Sequence, residues 1–145
     1  MFRDIKPADK ERFLAMEQEF YSSAVVVHNI DGSCFLRTFE EAMKGNPYLR
    51  VLMIEVDNQI VGYALLSFTY SNEAGGMVVL VEEVQIDKPQ RGKGIGTELL
   101  HFLEKEYPNA KRFRLEVTRN NLRAIELYEK LGYERLDYVQ MIKDI

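Results

Sequence analysis

The stretch Val84-Gln85-Ile86-Asp87-Lys88-Pro89-Gln90-Arg91-Gly92-Lys93-Gly94-Ile95-Gly96-Thr97 decides the fold. An apolar strand enters a proline-bearing turn, three glycines alternate with other residues, and Ile95, Leu99, Phe102 and Leu103 then recur at helical spacing. Such a strand–turn–helix junction aims free backbone N–H groups and the positive end of a helix dipole at one spot, which suits a phosphate or pyrophosphate. Glycines keep side chains out of the approach path and permit φ > 0. The junction therefore predicts a phosphorylated ligand near Gly94.

Working outward, the pattern before the junction is strand, two helices and a run of strands. A short strand fits 2–5, and Asp9 stands where a helix N-cap is wanted, ahead of Phe13, Met16 and Phe20 on one helix face. Val25-Val26-Val27 is apolar but His28-Asn29-Ile30-Asp31-Gly32 reads as loop. A second helix fits 35–44, with Leu36, Phe39 and Met43 on one face and Gly45 as its stop. Strands at 49–56 and 60–70, joined by Asp57-Asn58-Gln59, form a hairpin. A polar turn at 71–76 leads to a longer strand, 77–86. After the helix at 94–106 come a strand at 111–117, a helix at 121–131 ending at Gly132, and two short strands near 133–136 and 138–144. Hairpins make the first half of the sheet antiparallel, and the β-α-β crossover from 77 to 117 demands a parallel pair. The fold class is α/β with a mixed sheet covered by helices, in one domain spanning 1–145.

Composition narrows the function. Net charge is −4 with no block of lysine and arginine, which argues against a nucleic-acid partner, while an acidic surface suits a cationic substrate. The single cysteine, Cys34, excludes an internal disulfide and a cysteine metal cluster, and no metal is expected. The charged start, Met1 to Lys10, lacks the apolar core of a signal peptide, and no apolar run approaches the ~20 residues of a membrane span. The expectation is a cytoplasmic protein without membrane contact. Cys34 and His28 lack the glycine elbow and third member of a nucleophilic site.

Three phosphate-site patterns compete for the glycine turn. Gly92-Lys93-Gly94-Ile95-Gly96-Thr97 cannot supply the P-loop G-x-x-x-x-G-K-[ST]. For the dinucleotide fingerprint, Thr97 stands where the third glycine belongs, although Glu116 imitates its ribose-binding acid. The preceding antiparallel hairpin also argues against that parallel fold. The third pattern, R/Q-x-x-G-x-G/A, is met by Arg91, Gly94 and Gly96. A second signature follows in Asn121-Leu122-Arg123-Ala124-Ile125-Glu126-Leu127-Tyr128-Glu129-Lys130-Leu131-Gly132-Tyr133, which is similar to N-x-x-A-x-x-x-Y-x-x-x-G-F/Y. With both motifs at the expected separation, the whole chain resembles the GCN5-related N-acetyltransferase (GNAT) family, which binds acetyl-coenzyme A.

The resemblance implies a mostly antiparallel sheet with a central parallel pair and about four flanking helices. It implies that backbone N–H groups of Arg91, Gly92, Lys93, Gly94, Ile95, Gly96 and Thr97 hold the coenzyme's pyrophosphate, and that the pantetheine arm pairs with the backbone of Val84, Gln85 and Ile86 like an added strand. A splay between this strand and 111–117 would leave those groups open. Asn121 and Tyr128 share a helix face about 10 Å apart. Similarity gives Asn121 a hydrogen bond to the arm, and Tyr128 the proton for the departing thiolate. By spacing alone, Asn121 equally reads as a helix N-cap and Tyr128 as a core residue.

Glu82 and Glu83 interrupt the apolar strand just before the pantetheine segment. Strand alternation lets one of them face a given cleft. Family members often carry an acid at the place of Glu82, which ranks it first as the base for the amine and Glu83 second, with water as the remaining option. The implied reaction is direct acetyl transfer from acetyl-CoA to a primary amine in a ternary complex. The acceptor is a small-molecule or peptide amine of unread identity, and a homodimer is allowed. A non-catalytic acyl-CoA-binding module is the alternative. A nucleotide-binding oxidoreductase fragment stands third.

Overall fold

The computed structural model describes residues 1–24, 26–28 and 30–145; Val25 and Asn29, in the apolar run and loop noted above, lie outside the described residues. Five strands form one sheet in the order β1 (Phe2–Asp4), β2 (Leu49–Val56), β3 (Gln59–Ser71), β4 (Gly76–Ile86) and β5 (Arg112–Leu115). The first three pairings are antiparallel and β4–β5 is parallel. Asp57 and Asn58 turn the β2–β3 hairpin with φ of +51° and +60°, the left-handed pair of a two-residue turn, which these residue types tolerate.

Helices α1 (Lys10–Tyr21) and α2 (Gly32–Met43) cover one face of the sheet, and α3 (Ile95–Glu106) with α4 (Leu122–Lys130) lies on the other. On the first face Phe13 and Met16 of α1 and Phe39 of α2 close over Val51, Met53 and Tyr63. On the second, Leu99, Leu100 and Leu103 close over Leu52, Ala64, Leu66 and Val81. The i, i+3/i+4 spacing of each helix face thus meets the period-two face of the strands. Two expectations shift at their ends. Helix α2 starts three residues earlier than read, at a helix-poor glycine, because Asp31 caps it by accepting from the Ser33 N–H at 2.7 Å. Asp9 sits at the start of α1 but accepts from Lys6 N and Arg3 instead of from the helix.

The expected strands at 133–136 and 138–144 do not form: residues 134–145 are exposed and in no regular element. A strand needs a partner as well as a pattern, and among the described residues no strand pairs with this segment. In consequence β5 is an edge strand, and the parallel pair lies at one side of the sheet instead of its centre.

Candidate active site

The site begins where β4 and β5 part. Their pairing runs from Val78↔Arg112 to Val81↔Leu115, and β5 ends there, two residues short of the expected 117. Strand β4 continues to Ile86 with β3 on one side and no strand on the other. The stretch Val84, Gln85, Ile86 therefore presents one backbone edge to an opening, as the expected splay required. Its side chains are occupied: Val84 joins the cluster under α3, Gln85 is buried, and Ile86 packs with Ile54, Val61 and Ile95.

At the far end of that opening lies the glycine turn. Gly92 and Gly94 have φ of +78° and +88°, and Gly94 caps α3. Among the described residues, no backbone N–H from Gly92 to Thr97 donates to another backbone carbonyl; the first helical bond is Glu98 N–H to Gly94 O at 3.0 Å. Six successive donors stand open at a helix N-terminus, where the dipole favours an anion. A Cβ at Gly94 or Gly96 would meet nothing within 4 Å, so the space over the start of α3 is clear, while one at Gly92 would meet the Arg123 guanidinium at 3.1 Å. Arg91 and Lys93 are exposed beside it; Arg91 Nε donates to Ile86 O at 2.7 Å, tying the turn to the end of β4, and Lys93 Nζ to Gln90 at 3.0 Å. The donor set and the clear space fit a pyrophosphate.

Glu82 and Glu83 sit at the vertex of the opening, and their arrangement corrects the alternation rule. The β3–β4 register steps from Leu65↔Glu83 to Leu66↔Val81, so Glu82 has no partner and forms a β-bulge. Val81 faces the α3 side, whereas Glu83 accepts from Tyr63 (2.9 Å) and Tyr21 on the α1 side. Glu82 Oε1 accepts from Ser67 Oγ at 2.6 Å. Ser67 lies between Leu66 and Phe68, which both face α3, so it points to the α1 side. Both carboxylates thus share one face. Their surroundings differ: Glu82 is exposed with one oxygen engaged, and Glu83 is 8% exposed with each oxygen taken by a tyrosine hydroxyl.

Behind Glu83 stands Glu17 of α1, a residue that motif reading missed. It is 2% exposed, and its Oε2 has no hydrogen-bond partner among the described residues. Burial, reinforced by the negative charge of Glu83, pushes the Glu17 carboxyl up to about 9, so it carries its proton at neutral pH. Burial and the same carboxylates push the hydroxyls of Tyr21 and Tyr63 well above the usual phenol range. The signal was present in the sequence: Glu17 follows Phe13 by four residues and lies on the apolar face of α1.

On α4, Asn121 caps the helix by accepting from Ala124 N–H at 3.4 Å, which realises the N-cap reading and leaves its side-chain amide free to donate. Tyr128 is half-buried in the cluster that also holds Val84 and Leu115, the flanks of the opening, and its ring lies 5.9 Å from that of Tyr133. Burial raises its hydroxyl above the usual value, and among the described residues that hydroxyl has no hydrogen-bond partner. No three His, Cys, Asp or Glu among the described residues are placed to hold a metal ion. No helix of the described chain is long and apolar enough to cross a membrane.

Comparison with known proteins shows the family and the fold. The model of the acetyltransferase (GNAT) family matches residues 11–133. Thialysine N-epsilon-acetyltransferase of Mus musculus is 28% identical over 149 aligned positions, covering 92% of this chain and 84% of that protein. Among solved structures, "a possible acetyltransferase from Clostridium difficile 630" superposes with a TM-score of 0.83 at 17% identity, covering 100% of this chain and 97% of that one. Aminoglycoside N-acetyltransferase AAC(6')-Iy in complex with CoA gives a TM-score of 0.79 at 15% identity over 99% of this chain and 93% of that one.

Proposed function

The chain belongs to the acetyltransferase (GNAT) family and is an acetyl-transferring enzyme, and on that premise we propose that it moves an acetyl group from acetyl-CoA to a primary amine by direct transfer within a ternary complex. Membership sets aside the binding-module and oxidoreductase readings. The observation that carries the proposal is the β4–β5 opening, with six free amides at one end and the Glu82 carboxylate at its vertex. The CoA complex of a structural neighbour supports the choice of coenzyme.

Acetyl-CoA, when bound, supplies an acetyl group activated as a thioester. The amides of Gly92 to Thr97 hold its pyrophosphate, and the open edge of Val84 to Ile86 takes the pantetheine arm as an added strand. Backbone N–H groups at the opening polarise the thioester carbonyl. An amine acceptor is protonated near neutral pH and must lose a proton before its nitrogen bonds to the acetyl carbon. Glu82 is suited to take it, since it is exposed and has one oxygen free. Glu83 is not, since both oxygens already accept from tyrosines. As the C–S bond breaks, the unpartnered Tyr128 hydroxyl donates a proton to the sulfur. The acidic face around Glu82 suits a cationic acceptor, a small-molecule or peptide amine, and the thialysine-acetylating relative points the same way.

The test is ligand-specific stabilisation followed by turnover. Acetyl-CoA at a hundred times its dissociation constant adds about 2.7 kcal/mol, while NAD and ATP leave the melting temperature near its starting value. Release of free coenzyme thiol then depends on an added amine. Equal stabilisation by NAD would overturn the coenzyme assignment, and thiol release independent of every amine tried would overturn the acceptor class.

A further inference from the structure

The sheet face that carries Glu82 continues across β4 to β5. Leu80 is paired with Ser67 on one side and with Arg114 on the other, so these three side chains share a face, and Ser67 Oγ is the donor to Glu82. Glu82 and Arg114 thus flank one patch. Helices α1 and α2 leave it open. Among the described residues, the buried cluster beneath them takes nothing from β4 or β5, Ser67 and Leu80 are half-buried, and Thr69 is exposed.

Strand β5 presents two arginines to this face, and they differ. Arg112, opposite Val78, is held by Glu73 at 3.0 Å. Arg114 has a half-exposed side chain, donates no hydrogen bond among the described residues, and touches an acid only at 3.8 Å, in Glu116. Glu116 Oε1 is already taken by Gln140 Nε2 at 2.7 Å, and its other oxygen is free. A planar guanidinium with its fork unused is a ready partner for a carboxylate. One strand spacing across and two residues along put the backbones of Arg114 and Glu82 roughly 8 Å apart. In extended lysine the side-chain nitrogen lies about 7 Å from the carboxylate carbon.

On the acetyl-transfer reading of the Glu82 end, we infer that the acceptor is a free amino acid with an amine at the end of its side chain. Arg114 takes the carboxylate through its fork, Glu116 lies beside the α-ammonium, and the side-chain amine reaches Glu82. The chemistry at the nitrogen stays as described above: an N–C bond forms and the C–S bond breaks. Of the two protons that the ammonium gives up, one goes to Glu82 and the other replaces the proton that Tyr128 gives to the sulfur. Arg114 sets the specificity and takes no part in bond making.

Thiol release from acetyl-CoA by the full chain, with L-lysine set against cadaverine, tests the assignment. Cadaverine keeps the chain and the terminal amine and lacks the carboxylate. The expected kcat/KM for lysine is higher by about tenfold or more. Arg114→Gln raises the KM for lysine by a similar factor with kcat kept, whereas kcat/KM for cadaverine does not fall. Arg114→Lys, which keeps the charge without the fork, stands between. Arg112→Gln leaves the preference for lysine in place. An arginine with a merely structural role would weaken both amines alike, and that outcome overturns the inference. So does an unchanged KM for lysine in Arg114→Gln, cadaverine accepted as well as lysine, or thiol release with other amines and none with lysine. No release with any amine, while acetyl-CoA still raises the melting temperature, would instead strike the acetyl-transfer reading itself and take the acceptor with it.

Discussion

Along its β3 side, every β4 residue from Gly76 to Ile86 except Glu82 has a partner; along its β5 side, pairing covers only Val78 to Val81. The same strand is thus closed on one side by its own chain and open on the other. On the closed side, the chain's own groups satisfy each other, down to Glu83 with a tyrosine hydroxyl on each oxygen, and among the described residues Glu17 Oε2 is the buried side-chain atom left out. On the open side, donors and edges are left for something else: the amides of 92–97, the backbone of 84–86 and the hydroxyl of Tyr128. This row of unpaired donors beside a gap is where we propose that the ligand binds. Glu82 sits on the boundary, displaced by the bulge from both ladders.

The sharpest way to break this contrast is to neutralise the two acids in turn. Glu82→Gln lowers turnover by roughly 10²–10⁴-fold with acetyl-CoA affinity unchanged, and the deficit narrows at high pH as free amine becomes plentiful. Glu83→Gln acts differently: it disturbs the hydroxyl cluster and lowers the melting temperature, while the folded fraction keeps most of its turnover. Steady-state rates set beside melting curves decide it. A pH-dependent rate loss confined to Glu83→Gln would exchange the roles of the two sides.

A second test addresses the ligand end of the open side. Gly96→Val adds a branched side chain where the protein itself has nothing within 4 Å, and a helix accommodates valine at least as well as glycine. Stability without ligand is kept, and the acetyl-CoA dissociation constant rises by about a hundredfold or more, read by calorimetry. Unchanged affinity in this variant would move the pyrophosphate away from the turn. Tyr128→Phe has a smaller expected effect. The hydroxyl bonds to no described group, so its removal leaves the melting temperature within about 1 kcal/mol of stability and lowers turnover about tenfold. The loss shrinks with an acyl donor whose leaving thiol is more acidic. Normal turnover would return Tyr128 to a packing role.

What the sequence made legible follows the same division. The β2–β3 hairpin, the glycine turn and α3 are specified by neighbouring residues, and they stand within a residue or two of their expected ends. The bulge at Glu82 was illegible, because it exists only in the register between β3 and β4; two adjacent acids look alternating until the partner strand is known. The capping role of Asn121 was readable, but no spacing told it apart from a ligand contact. The strands expected within 133–144 have the right residue types and no strand partner among the described residues, and pattern alone does not supply one. Glu17 escaped because motif reading looks for acids on strands and loops, whereas this one is buried within a helix face.

Glu17 also allows the smallest and most specific test of the closed side. Its carboxyl ordinarily titrates at 4.5 and is pushed up to about 9, by burial first and by the Glu83 charge second. The folded chain therefore keeps a proton that the unfolded chain loses above 4.5. The contribution of this group to stability is full below 4.5 and declines as pH rises, until it is gone near 9. Three titratable groups face it: Glu83 from β4, Tyr63 from β3 and Tyr21 from α1. The two tyrosines stay neutral across this window, since both hydroxyls lie above the usual phenol range. Glu17→Gln keeps the shape and a donor toward Glu83 but has no proton to lose. The native chain should lose melting temperature steadily between pH 5 and 8.5, and the variant should lose less, melting about 5 °C higher at the alkaline end. Parallel curves for the two proteins would mean that Glu17 is ionised in the fold, and would place a charge inside the side of β4 that otherwise satisfies itself.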